Sequence, residues 1–430
     1  MAEIIPFKGI RYNKEKIRNI ESVISPPYDV IDSKLQDDLY NRSEYNAVKI
    51  DKTKEVEGAP DKKYEIAAEY FNKWLEEKVL IQEEKEGLYI YQQDFEVEGE
   101  KKSRFGFIGL TKLEEFGKGI LPHERTLHGP KVDRLKLTRA TGAQFGLIFT
   151  LYPDPESSVD NILLKTINNE KPLYDGVDDE GIRHKLWFLS NEDEIKEIQR
   201  IMNNKKLFIA DGHHRYETAL NYSKENPDKE SAKYVMMCFV NMQNPGLVVL
   251  PTHRLIKNLE SFNLEEFKAK LENLFFIKPI EKGDDLVSEM IKVLKDEGKK
   301  GKHAFGMYSN GEYYIITLKD ESVMDKIKDH SEVWKKLDVT ILHTIILEDL
   351  LGIDAEKLVK ESNVEYLKDT GSAIKEAIIR IDKSEFQIGF FMNATKTSEV
   401  EKIAENNEKM PQKSTFYFPK IYTGLVINKY

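Results

Sequence analysis

The run Lys206-Leu207-Phe208-Ile209-Ala210 leads directly into Asp211-Gly212-His213-His214-Arg215, after which Tyr216, Ala219 and Leu220 recur at helical spacing. This pattern predicts a buried strand, a tight corner and the start of a helix. The first N–H groups of a helix lack internal partners and face outward at its positive end, so an anion is favoured there. Gly212 lets the backbone approach such a ligand, and His213, His214 and Arg215 add donors, the arginine as a paired fork. Asp211 is out of place beside an anion unless a divalent cation bridges the two or the carboxylate accepts a proton. The competing reading makes Asp211 an ordinary helix cap followed by two polar first-turn residues.

A second concentration of charge runs from His123 to Arg134. His123 and His128 are five apart, and Gly129-Pro130 interrupts any helix that would bring them together, so this is not zinc-protease spacing. Pro130 suits the first turn of a new helix, in which Lys131, Arg134 and Thr138 share a face able to clamp phosphate oxygens. A solvated basic surface accounts for the same spacing. Glu124 is the acid in this basic company and a candidate general base for a hydroxyl nucleophile. Lys413, in Lys413-Ser414-Thr415, is either a further cation for the site or a turn residue entering a strand.

The rest of the chain sets the frame. With 430 residues and 40% hydrophobic content it can bury a substantial core in two or three units. The net charge of -10, spread over many charges of both signs, speaks against a nucleic-acid-coating role and makes any anion site a local affair. Cys238 is the one cysteine, so neither an intrachain disulfide nor a cysteine zinc cluster can form. Apolar runs fall short of the ~20 residues of a membrane helix, and Glu3 and Pro6 are foreign to a secretory leader, so a cytoplasmic location is expected. Helical spacing predicts a helix from about Asp61 to Val79. Strands are predicted at Leu88 to Phe95 and Phe105 to Leu110, joined as a hairpin around the charged turn Glu98-Gly99-Glu100-Lys101, at Phe145 to Tyr152, and at Tyr234 to Val240 and Leu247 to Leu250. A helix-rich lobe follows, with strands at Leu274 to Ile277 and Glu312 to Leu318, and a β segment ends the chain. Walker, dinucleotide, serine-hydrolase and protein-kinase signatures are all missing.

Ile209-Ala210-Asp211-Gly212-His213-His214-Arg215 resembles the signature of the ParB/sulfiredoxin superfamily, in the branch that includes free serine kinases. Other stretches resemble a large bacterial and archaeal family placed in that superfamily: Ile24 to Ile31, Glu124 to Arg134, Arg183 to Trp187, Pro251 to Arg254 and Met410 to Thr415. The resemblance implies an α+β fold, a ParB/sulfiredoxin-like mixed α/β core with large insertions and a helix-rich second lobe. It also implies nucleotide phosphates held at the Asp-Gly-His-His-Arg turn with Mg2+ assisting. Sulfiredoxin carries a reactive cysteine where His213 stands, which disfavours sulfinic acid reduction, and no DNA-reading helix is evident.

The expected organisation is a core over 1–258, a second lobe over 259–404 and a C-terminal β segment over 405–430 that returns to the core. The expected activity is Mg2+-dependent transfer of a phosphoryl group from ATP or ADP to a small hydroxylated metabolite, free L-serine first. The alternative is a CTP- or ATP-binding regulatory switch with little turnover. Asp211, as metal ligand or base, is expected to act with His213 and Glu124 in catalysis. Gly212, His214, Arg215, Arg125, Lys131, Arg134 and Lys413 are expected to hold phosphates, and Tyr28 and Asp29 the acceptor. The expected partners are the nucleotide and a small-molecule substrate, with neither DNA nor a membrane; the oligomeric state is left open.

Overall fold

The computed structural model describes residues 3–124, 126, 128–281, 283 and 285–430, which form a mixed α/β structure with several sheets. The chain divides into two compact units. The first comprises Met1–Pro122, Thr126–Leu247 and Pro419–Tyr430, and the second His123–Arg125 and Val248–Phe418. Among the described residues no helix is long and apolar enough to cross a membrane.

The first unit is built on a nine-stranded sheet: β1 (Ile4–Ile5), β2 (Leu88–Val97), β3 (Glu100–Lys112), β4 (Ile120–Leu121), β5 (Ile148–Tyr152), β6 (Tyr174–Val177), β7 (Arg183–Leu189), β8 (Leu207–Asp211) and β9 (Tyr234–Asn241). The spatial order is β4-β8-β5-β9-β3-β2-β7-β6, with β1 also paired to β3. β9 lies in the middle, parallel to β5 and antiparallel to β3. Its run Val235 to Val240 is therefore buried on both faces, which is why the sequence there is continuously apolar rather than alternating. β2 and β3 form the expected hairpin. Val97 pairs with Glu100 across a two-residue loop in which Glu98 and Gly99 both have positive φ, the backbone that a tight hairpin turn demands.

Three helices matter for the site: α1 (Lys62–Glu76), α2 (His128–Thr141) and α3 (His213–Glu225). α1 buries Tyr64, Ala67, Phe71 and Trp74, close to the periodicity read from the sequence. α2 and α3 are laced together by Lys131 Nζ on Glu217 Oε2 at 2.6 Å and by Arg139 on Glu225.

The second unit contains a six-stranded antiparallel sheet made of β10 (Thr252–Ile256), β11 (Phe275–Pro279), β12 (Ala304–Ser309), β13 (Glu312–Leu318), β14 (Val364–Lys368) and β15 (Ile388–Phe391). Their order is β11-β13-β12-β15-β10-β14. Neighbouring residues such as Leu255 and Ile256, or Ile315 and Ile316, enter different cores, as alternation along a strand requires. The predicted helix-rich lobe is thus organised around a sheet.

The division falls at Leu247/Val248 where a boundary after residue 258 was expected, because Val248–Leu250 pairs with Phe416–Phe418 inside the second unit. Of the terminal segment, only Pro419–Tyr430 belongs to the first unit, where Asn428 pairs with Gln144 and Thr423 bridges Ser25.

Candidate functional site

Gly212 is where β8 becomes α3. Its φ of +93° is open to glycine at little cost, and no side chain caps the helix there. Asp211 is therefore the last residue of the strand and not a helix cap. A register shift against β5 between Ile209 and Asp211 marks a bulge just before the turn.

The Asp211 carboxylate is shared by two cations. Arg215 Nη2 donates to Oδ2 at 2.6 Å, and Lys420 Nζ donates to Oδ1 at 2.6 Å. Burial works to raise the Asp211 pKa, but the charges of Lys420 and Arg215 outweigh it and hold the carboxyl well below the usual range. Arg215 Nη1 also donates to the Leu147 carbonyl. Its guanidinium lies against Gly212 and Gly146, where an added Cβ would stand 3.0 Å from Nε and 3.3 Å from Nη1, respectively. His213 is buried and His214 is half-buried at the first turn of α3.

Arg134 reaches the same neighbourhood from α2. Its Nη1 donates to the Asp51 carbonyl at 2.6 Å and to Asp51 Oδ1 at 3.0 Å. Its Nε and Nη2 grip Asp133 Oδ2 at 2.9 and 2.6 Å. The guanidinium carbon also lies 4.1 Å from the centre of the Tyr28 ring. Burial raises the pKa of Asp51 more than Arg134 and Arg215 lower it, so this carboxyl sits above its ordinary value. Arg134 and Arg215, from two separate motifs, thus act on one buried acid, and Asp29 and Tyr28 act on Arg215 in turn. A cavity of about 120 Å³ opens beside this network, lined by residues that include Tyr28, Asp51, Lys52 and Arg134.

Several expectations meet a different geometry. Lys131 and Arg134 do not share a ligand face, since Lys131 is paired with Glu217 while Arg134 is committed to Asp51 and Asp133. Asp211, expected as a magnesium ligand, instead accepts from a cation at each oxygen, so a metal ion there would have to share the carboxylate with Arg215 and Lys420. Among the described residues no group of three or more His, Cys, Asp or Glu side chains could hold a metal. For the same reason Asp211 is a poor proton acceptor. Glu124 and Lys413 both belong to the second unit, where Lys413 N donates to Glu124 Oε1 at 3.3 Å and His123 Nε2 lies 3.1 Å from Thr415 Oγ1. Arg125 lies outside the described residues.

The sequence reading missed Asp51, Lys52, Lys420 and Thr423, whose Oγ1 lies 3.4 Å from Asp51 Oδ2. Asp51 ends a four-residue helix, Val48–Asp51, and Lys420 and Thr423 follow the last described strand of the second unit. No local pattern marks any of them. Only their spatial return to the corner does.

The chain belongs to the family described as protein of unknown function (DUF1015), which matches residues 4–340. No curated protein matches the sequence. Similar solved structures include a free serine kinase in complex with AMP, at 12% identity and a TM-score of 0.34, covering 71% of this chain and 92% of that one. SbnI with a C-terminal truncation from Staphylococcus aureus is similar at 10% identity and a TM-score of 0.34, covering 73% and 84%. A conserved hypothetical protein from Pyrococcus furiosus is similar at 14% identity and a TM-score of 0.33, covering 70% and 89%.

Proposed function

We propose that the chain is a nucleotide-dependent phosphotransferase on a ParB/sulfiredoxin-like core, moving a phosphoryl group from ATP or ADP to a small hydroxylated metabolite, with free L-serine the first candidate. The reading rests on one observation, the β8-Gly212-α3 corner at which Asp211 holds Arg215 and Lys420 beside the positive end of a helix. A buried ionic network costs more desolvation than apolar packing would, so its presence at such a corner favours a functional reason for it. Phosphoryl transfer asks mainly for positioning and neutralised charge.

In this reading Gly212, His213, His214 and Arg215 hold the phosphates, and Asp211 fixes the cations instead of binding metal or taking a proton. The acceptor hydroxyl oxygen forms the new bond to the terminal phosphorus as the bond to the bridging oxygen breaks. The shortened nucleotide leaves with that oxygen, and the hydroxyl proton passes to a carboxylate other than Asp211. Tyr28 and Asp29 stand on the acceptor side.

Incubation of the purified chain with L-serine, magnesium and ATP or ADP, followed by mass spectrometry for O-phosphoserine, tests the proposal. Absence of product with both donors removes it. One observation favours a second reading, a nucleotide-binding switch with little turnover: against burial, Lys420 and Arg215 hold the Asp211 carboxyl well below the usual range, which makes it a weak base. Tight nucleotide binding without product would select that reading.

A further inference from the structure

The 120 Å³ cavity beside Arg134 is far smaller than the ~300 Å³ and upward of sites for drug-sized ligands, and holds about four waters at ~30 Å³ each. A nucleotide does not fit it. A phosphate group or the head of a free amino acid does.

The charges around the cavity are matched except at one place. Arg134 is neutralised by Asp51 and Asp133, and Asp133 also accepts from Tyr64 and Lys63. Lys52 differs. Its ammonium donates to the Tyr28 carbonyl at 2.9 Å and to the Ile31 carbonyl, and among the described residues no carboxylate pairs with it within 4.0 Å. Three N–H groups with two carbonyl partners leave one donor to give. Tyr28 also lines the cavity, and its hydroxyl has no hydrogen-bond partner among the described residues. Burial and the charge of Arg134 depress the Lys52 pKa against the pull of Asp29, Asp51 and Asp133, none of which pairs with the ammonium directly.

We propose that this cavity binds the anionic group, carboxylate or phosphate, of a small metabolite, with the Lys52 ammonium as its counter-charge and the Tyr28 hydroxyl as a second donor. The inference rests on the phosphotransferase reading in one respect, that the metabolite is the phosphoryl acceptor and not the nucleotide. Leu137 forms an apolar part of the wall, so its size also sets what enters.

Calorimetric titration of the full chain at low salt decides the matter, with L-serine, inorganic phosphate and O-phospho-L-serine as separate probes and ATP as an independent one. Lys52→Gln keeps a donor for the two carbonyls but removes the charge, and Leu137→Phe fills the cavity without touching Lys52. Binding of L-serine but not phosphate identifies a carboxylate site, and the reverse a phosphate site. In either case at least tenfold weakening is expected in both variants, with ATP affinity changed less than twofold. Failure of all three small probes with the wild-type chain overturns the inference, as does undiminished binding in a folded Lys52→Gln chain. Should Lys52→Gln not fold, Leu137→Phe decides alone. Small-anion binding without binding of ATP, or of ADP titrated in the same way, would sink the phosphotransferase reading and leave this subsite standing, whereas nucleotide binding without small-anion binding would do the opposite.

Discussion

Lys420 Nζ lies 2.6 Å from Asp211 Oδ1, tying the last residue of β8 to a residue 209 positions further along the chain. Arg215 takes the other oxygen, so one carboxylate organises two cations that sequence distance keeps apart. Removing either cation leaves a largely buried charge only half compensated.

Lys420→Met is accordingly expected to lower stability at pH 7 by about 2–3 kcal/mol, below the full cost of orphaning a buried ion because Arg215 remains. Denaturant titration measures it. Asp211→Asn/Lys420→Met should recover part of the loss, and a double variant no better than the sum of the single ones would show that the pair does not interact.

Gly212→Ala places a Cβ 3.0 Å from Arg215 Nε at a φ of +93°. Gly99→Ala, at φ +77° with nothing within 4 Å of the new Cβ, provides the control. Both should lose about 1 kcal/mol to backbone strain. Only Gly212→Ala should also weaken ATP binding, by tenfold or more, and equal behaviour of the two would show that Arg215 placement is irrelevant.

Arg134→Lys removes the fork on Asp133, whose carboxyl is now held down at about 2, burial being outweighed by Arg134. A depressed carboxyl adds stability at pH above its unfolded value near 3.8, and that stability drains away as pH falls toward 2. The variant should be about 1–2 kcal/mol less stable at pH 7 and show a shallower acid slope between pH 4 and 2. An unchanged slope would mean that Lys63 and Tyr64 suffice for Asp133.

Asp160 carries the opposite sign. Burial pushes its carboxyl up to about 6, despite a 3.2 Å hydrogen bond from Asn241 Nδ2. A folded pKa above the unfolded one favours folding at low pH, and the advantage disappears as pH climbs from about 4 to 6. Asp160→Asn should therefore gain about 2 kcal/mol over the wild type at pH 8 and little at pH 4. Thermal unfolding at the two pH values distinguishes this from a uniform effect.

Local pattern and long-range pairing divide what could be read in advance. The strand, corner and helix from Leu207 to Glu225 were legible because every residue there answers to its neighbours: buried run, glycine turn, periodic face. The β2/β3 hairpin was legible for the same reason, with Glu98-Gly99 at its turn. The second-unit sheet was legible only in β11 and β13, since Ala304–Ser309 and Ile388–Phe391 are short apolar runs whose strand character comes from pairing with each other. At the site, His213, His214 and Arg215 announced themselves by position. Asp51 and Lys420 did not, as a lone Asp at a short helix end and a lone Lys after Pro419 look like surface residues until folding brings Arg134 and Asp211 to them.

The chain leaves the first unit at Leu247 and comes back at Pro419. On the ribosome, β8 and α3 emerge with Asp211 facing Arg215 alone, and 171 residues of the second unit, Val248–Phe418, must follow before Lys420 is made. The corner consequently gains its second cation only after the second unit has been made. A product that stops anywhere inside the second unit carries the complete Asp-Gly-His-His-Arg sequence but lacks the Lys420 ammonium that Asp211 accepts from.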